Sequence, residues 1–283
     1  MVCTLREIIA NKLPPGIYDA YVKGIGGLKC DGSLEALGIS VAGGLKINGN
    51  LKVKQMLKVA GGINVNGDLI AGEEIRVAGG MRVLGNCIAK RIFISGGIRG
   101  EKSLIAEELL KASGGINING DLLSKGNVSV SGGIRARESL VKGALVCSGG
   151  CKVRKILCES LQLSGGIKAE ELEVAKDAKI SGGFEIGRIL VGGNLEIKLG
   201  KLGTSKIRDI EVGGDLVIES KGAKLIVEGN ITANKIKIEN VEVYGDVSGD
   251  VVILKNCNIH GRIIYRNSFI PSQTSFNEVL KID

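Results

Sequence analysis

Four sets of residues have types and spacings that could support chemistry. Gly-Asp and Gly-Asn pairs recur at Gly49-Asn50, Gly67-Asp68, Gly85-Asn86, Gly120-Asp121 and Gly229-Asn230. Such pairs could aim backbone N–H groups at a phosphate or carboxylates at calcium. His260 is the single histidine and could serve as a general base. Cys147 and Cys151 sit in VCSGGCKV with Cys158 following, a partial thiolate set for a metal. Adjacent glutamates occur at Glu73-Glu74, Glu107-Glu108 and Glu170-Glu171 and could pair as acid and base.

None of these reaches a chemical pattern. The calcium-binding β-roll repeats every nine residues with Asp at fixed offsets, whereas the beat here is six and the Asp is intermittent. The phosphate-loop pattern G-x-x-x-x-G-K-[ST] does not occur. Cys151 holds the place filled by Leu45, Ile63 and Ile116, so it is expected to point inward as a small hydrophobe, and Cys87 shares the register of Leu51 and Leu69. Neighbouring glutamates on a strand face opposite ways. His260 lies beside Gly261 and reads as a corner residue, with no Ser–His–Asp motif around it. No catalytic residue, cofactor or metal is expected.

The elements that hold these residues come from a repeat. Gly-Gly pairs begin at Gly26, Gly43, Gly61, Gly79, Gly96, Gly114, Gly132, Gly149, Gly165 and Gly182, always 16 to 18 residues apart. Inside each repeat runs a shorter beat, apolar-x-apolar-x-x-x: Leu45, Leu51, Leu57, Ile63, Leu69 and Ile75 lie six apart, and Ile47, Val53, Val59, Val65, Ala71 and Val77 follow two residues on. Alternation of period two argues a strand with both apolar residues on one face. Gly, Asn and Asp tolerate left-handed backbone, so they are expected to turn the corners. Three strands and three corners make one coil of a triangular β-helix. Thus Gly43, Gly44, Gly61, Gly62, Gly79, Gly80, Gly114 and Gly115 are expected to stack in a ladder. A helix fails because the apolar residues do not recur at three and four.

Composition agrees. Aromatics are only 3% of 283 residues and Trp is absent, so Val, Ile and Leu must build the core. Pro occurs only at Pro14, Pro15 and Pro271, leaving a long stretch in which every residue carries a backbone donor. The net charge of +8 is spread along the chain with no basic block. Scarce aromatics disfavour stacking of single-stranded bases, so nucleic acid is not the expected partner. Seven cysteines at irregular spacing are no disulfide framework. With no secretory signal and no transmembrane run, a reducing, cytoplasmic setting is expected.

Segments such as VAGGINVNGDLIA, SGGINING, EGNITANKIKIENVEVYGDVSGDVVI and NIHGRI resemble the bactofilins, polymer-forming cytoskeletal proteins; the resemblance covers about residues 40–265. It implies a right-handed, three-sided, single-stranded parallel β-helix and end-to-end assembly into filaments without bound nucleotide. The all-β chain divides into an N-terminal lead or cap over 1–25, a parallel β-helix over 26–264 with room for about 13 coils of 16–18 residues, and a C-terminal cap or tail over 265–283. In the lead, Thr4 is a candidate N-cap with Glu7 three residues on, and Leu5, Ile8, Ile9 and Leu13 could form the apolar face of a short helix ended by Pro14-Pro15. A membrane-surface anchor there is the lesser reading. In the tail, Tyr265, Phe269 and Ile270 are candidates for a self-assembly contact.

The expected function is therefore structural and non-enzymatic, with the chain itself as partner through homo-oligomer or homopolymer contacts. The alternatives are a β-helical enzyme or enzyme subunit, for which His260 of a hexapeptide-acyltransferase-like site is the residue to watch, and a basic module for nucleic acid or acidic surfaces.

Overall fold

Apolar side chains at alternate positions turn inward in each short strand, and the strands stack in parallel. The structure, a computed structural model, describes residues 7–283. They contain strands and no helix, arranged as a parallel β-solenoid of about 16 turns. Two units, 1–143 and 144–283, are distinguished by their internal contacts.

In the first unit a coil is built as Gly44–Ile47, Leu51–Val53 and Met56–Val59, and the next as Ile63–Val65, Leu69–Ala71 and Glu74–Val77. Leu45, Ile63, Met81, Ile98, Ile116 and Ile134 pair in register along one face. Leu51, Leu69, Cys87, Leu104 and Leu122 line the second. Leu57, Ile75, Ile92, Leu110 and Val128 line the third. All are buried. Each such side chain is worth roughly 1.5–3 kcal/mol when fully buried, so burial along a column supplies the stability that one coil lacks. Ser139 is an exception. It pairs with Leu122 at an inward position, is fully buried, and its hydroxyl has no hydrogen-bond partner.

The second unit keeps the same logic. Leu172, Ile189, Ile210, Ile231, Val247, Ile263 and Val279 form one inward column. Where the glycine period is disturbed, the strands Leu195–Leu199 and Asp215–Ser220 are longer than those of the coil at 44–59, and a four-residue corner at 200–203 leaves Leu202 92% exposed. In the last coils, 16 and then 17 residues apart, a left-handed residue turns one corner: Asn240 (φ 59°), Asn256 (φ 52°) and Gln273 (φ 51°). The Asn256 side-chain amide donates to Asn240 Oδ1 of the preceding coil.

Two expectations are corrected. The lead is not a helix where it is described: Glu7–Ile9 pairs with Tyr21–Lys23, Lys12–Leu13 with Lys29–Cys30, and Gly16–Gly24 with Leu34–Val41. Leu13, Ala20 and Val22 are buried on that strand pattern, and a capping box offers too little to compete with such burial and a ladder. Thr4 and Leu5 lie outside the described residues. Likewise the C-terminal stretch does not leave the repeat. Asn258–Ser272 pairs with Val247–Lys255, and Ser275–Lys281 pairs in turn with Asn258–Tyr265. Among the described residues, stacked strands are present from Glu7 to Lys281, beyond 26–264 on both sides, which accounts for more coils than the expected 13.

Candidate functional site

The glycine corners form two side-by-side columns in the first unit. Gly61 N–H donates to Gly43 O at 3.0 Å and Gly79 N–H to Gly61 O at 3.1 Å; Gly96 and Gly114 continue the chain at 3.2 Å each. A Cβ built on Gly61 would lie 2.7 Å from the carbonyl carbon and oxygen of Gly43, and one on Gly79 2.7 Å from those of Gly61. The second glycine of each pair is freer: a Cβ on Gly80 meets nothing nearer than Gly97 O at 3.6 Å, while Gly44, Gly62 and Gly115 would meet a carbonyl oxygen at 3.5, 3.2 and 3.1 Å. The reason for glycine here is the close approach of one backbone to the next. Among the described residues, left-handed φ occurs in glycines only at Gly165, Gly182, Gly203 and Gly222.

The Gly-Asp and Gly-Asn corners form a different ladder. Ser33 Oγ accepts Asn50 N–H, Asn50 Oδ1 accepts Asp68 N–H at 2.9 Å, Asp68 Oδ1 accepts Asn86 N–H at 2.7 Å, Asn86 Oδ1 accepts Ser103 N–H, and Ser103 Oγ accepts Asp121 N–H. Asp209, Asn230 and Asp246 repeat the device in the second unit, ending on Arg262 N–H. Each side-chain oxygen thus satisfies a corner donor that the sheet ladder leaves over. The glycines before Asp68, Asn86, Asn230 and Asp246 are needed because the side chain of the preceding coil fills the space: a Cβ on Gly67 would lie 2.1 Å from Asn50 Oδ1. These oxygens are spent on backbone, and no group of three or more His, Cys, Asp or Glu among the described residues could hold a metal ion.

His260 stacks on Tyr244 with ring centroids 4.6 Å apart and planes 7° from parallel. Its Nε2 lies 3.2 Å from Glu242 Oε1 and 3.1 Å from Asn258 Nδ2. Lys224 Nζ sits 2.6 Å from Glu242 Oε2. The Lys224 ammonium, and His260 after it, hold the Glu242 carboxyl below its usual range. A polar groove of about 790 Å³ adjoins, lined by Lys224, Asn240, Glu242, Asn256, Asn258 and Thr274 among others. Of the groove's hydroxyls, Ser275 donates to Asn258 Oδ1 at 2.6 Å and Thr274 to Ser272 O at 3.0 Å, so neither donates to the imidazole.

Cys30, Cys87, Cys147, Cys151, Cys158 and Cys257 are buried and in no disulfide; Cys3 lies outside the described residues. Burial pushes the Cys87, Cys151 and Cys158 thiols up to about 12. The glutamate pairs are held by cations rather than by each other. Glu73 bonds Lys90, Glu74 bonds Arg76 and Arg91, Glu107 bonds Lys125, Glu108 bonds Arg91, and Glu171 bonds Lys155.

At the C-terminal coil, Tyr265 and Phe269 lie 5.8 Å apart and Phe269 meets Phe276 edge to face at 5.4 Å. Phe269 pairs with Val252 and Phe276 with Ile259, both inward positions, so the two rings lie across the end of the core. Ile270 faces outward and is 52% exposed. Among the described residues, Ser275–Lys281 and the Ser268–Ser272 part of its neighbour pair on one edge only.

Outward columns in the first unit were not foreseen. Charge counted along the chain looks evenly mixed, yet residues 7–143 carry 18 Lys and Arg against 12 Asp and Glu, and 144–283 carry 19 against 18. Folding sorts charge by face. Lys12, Lys29, Lys46, Asn64, Arg82, Arg99, Asn117 and Arg135 pair in one register. A second outward column, on another face, holds Ile70, Ile88, Ile105, Leu123 and Leu140. The signal was present in the middle residue of each apolar-x-apolar triplet, read once per coil. Comparison of the chain with protein-family models, with curated proteins and with solved structures gives no match.

Proposed function

We propose that this chain is a structural protein of bactofilin type, without a reaction of its own, that self-associates coil against coil through its ends. The observation that carries the reading is the terminal coil. It combines a cluster of Tyr265, Phe269 and Phe276 with strand edges unpaired among the described residues, and such edges template pairing with another chain. Pro271 lacks a donor and weakens pairing along Ser268–Ser272, which leaves Ser275–Lys281 and the rings as the contact. The test is light scattering of the purified chain over a concentration series, with Phe276→Lys, in the contact strand and 40% exposed, as the variant. Mass rising with concentration, and rising less in the variant, supports the reading. A monomer at every concentration refutes it.

A further inference from the structure

The cationic column of the first unit is one residue wide. Lys12 and Lys29 share Asp31 at 3.4 and 2.8 Å. Beyond them Lys46, Arg82, Arg99 and Arg135 are exposed and have no ion-pair partner among the described residues. From Lys46 to Arg135 is five strand steps of about 4.8 Å, roughly 24 Å. On one side of the row the column of Gly44, Gly62, Gly80, Gly97 and Gly115 presents no side chain. On the other, Asn48 and Asn66 are bonded to each other and Asn119 to Glu101. The four charges therefore stand alone above a low floor.

Unpaired cations in a straight line call for a partner with anionic charge along a line. A planar anionic surface would also press on the flanking Asp31 and Glu101. A cylinder touches a flat face along one line only. Duplex nucleic acid is such a cylinder, with one charge per about 1.7 Å of axis, so it meets the row in any register. The face carries no aromatic for base stacking and no element to enter a groove, which points to backbone contacts alone. The shortage of aromatics speaks against single strands and is silent about duplexes.

We propose that the Lys46–Arg82–Arg99–Arg135 row binds double-stranded nucleic acid through its phosphates, independent of sequence. Four neutralised phosphates give a slope of about −3.6 in log affinity against log salt, a loss of about 150-fold between 50 and 200 mM. Fluorescence anisotropy of the full chain with a mixed-sequence DNA duplex of about 24 base pairs, roughly three row lengths, reads both. The quadruple change of Lys46, Arg82, Arg99 and Arg135 to Gln should abolish binding, and Arg99→Gln alone should lower the slope by about 1, which keeps the test informative should the quadruple variant misfold. Lys58→Gln with Lys111→Gln, on another face, should leave binding intact. No binding at 50 mM salt overturns the proposal. So does equal loss in the control, an unchanged slope in Arg99→Gln, or binding to phosphatidylserine vesicles in place of the duplex.

Discussion

The two glycines of a corner pair should respond oppositely to the same methyl group. In Gly79→Ala the new Cβ would sit 2.7 Å from the carbonyl carbon and oxygen of Gly61 and 2.8 Å from Gly62 N. These atoms belong to backbone locked in the ladder, so the coils must part locally. Overpacking of this kind costs roughly 1–3 kcal/mol. In Gly80→Ala the Cβ has 3.6 Å to its nearest neighbour, and neither glycine has a left-handed φ. There the loss of chain entropy in the unfolded state dominates, giving a gain of about 0.4–1 kcal/mol. Urea unfolding followed by far-ultraviolet circular dichroism reads both variants against the parent. A lower midpoint for Gly79→Ala with an unchanged or higher one for Gly80→Ala is expected. Equal effects, or the reverse order, would refute close approach as the reason for glycine.

Other outcomes follow from single contacts. Ser139→Ala removes a buried hydroxyl without a partner and should raise the urea midpoint by an amount worth about 1–3 kcal/mol. Asp68→Asn keeps the oxygen that accepts Asn86 N–H and should be neutral, whereas Asp68→Ala should cost about 1 kcal/mol in the same assay. The Arg262 guanidinium holds the Asp246 carboxyl below its ordinary 3.8, so its stabilising contribution is fully present above that pH and is lost as pH falls through the lowered value; thermal melts from pH 5 downward should fall, and less so in Asp246→Asn. Thiol titration of the native chain should leave the six buried cysteines unreacted until denaturant is added.

Much of this was legible in sequence because a solenoid repeats its burial. Leu45, Ile63 and Leu69 announce inward columns by position alone, and Gly61 announces its place between Gly43 and Gly79. The first residues misled because a local capping pattern at Thr4 and Glu7 carries no information about the strand at Tyr21–Lys23 that pairs with the chain there. Glycine marks the corners for two reasons: φ above zero explains four of the described glycines, while backbone proximity explains the columns. The charged row escaped notice because Lys46, Arg82 and Arg99 lie far apart in sequence and meet only when positions are compared one coil apart. Ser139 could not be read as a core residue, since a serine between strands is ordinary in any loop.

The central claim is assembly through stacked coils, and electron microscopy of the negatively stained full chain tests it most directly. Particles extended well beyond one molecule, lengthening with concentration and shortened in Phe276→Lys, are the expected result. Discrete particles of single-chain size at every concentration would contradict it.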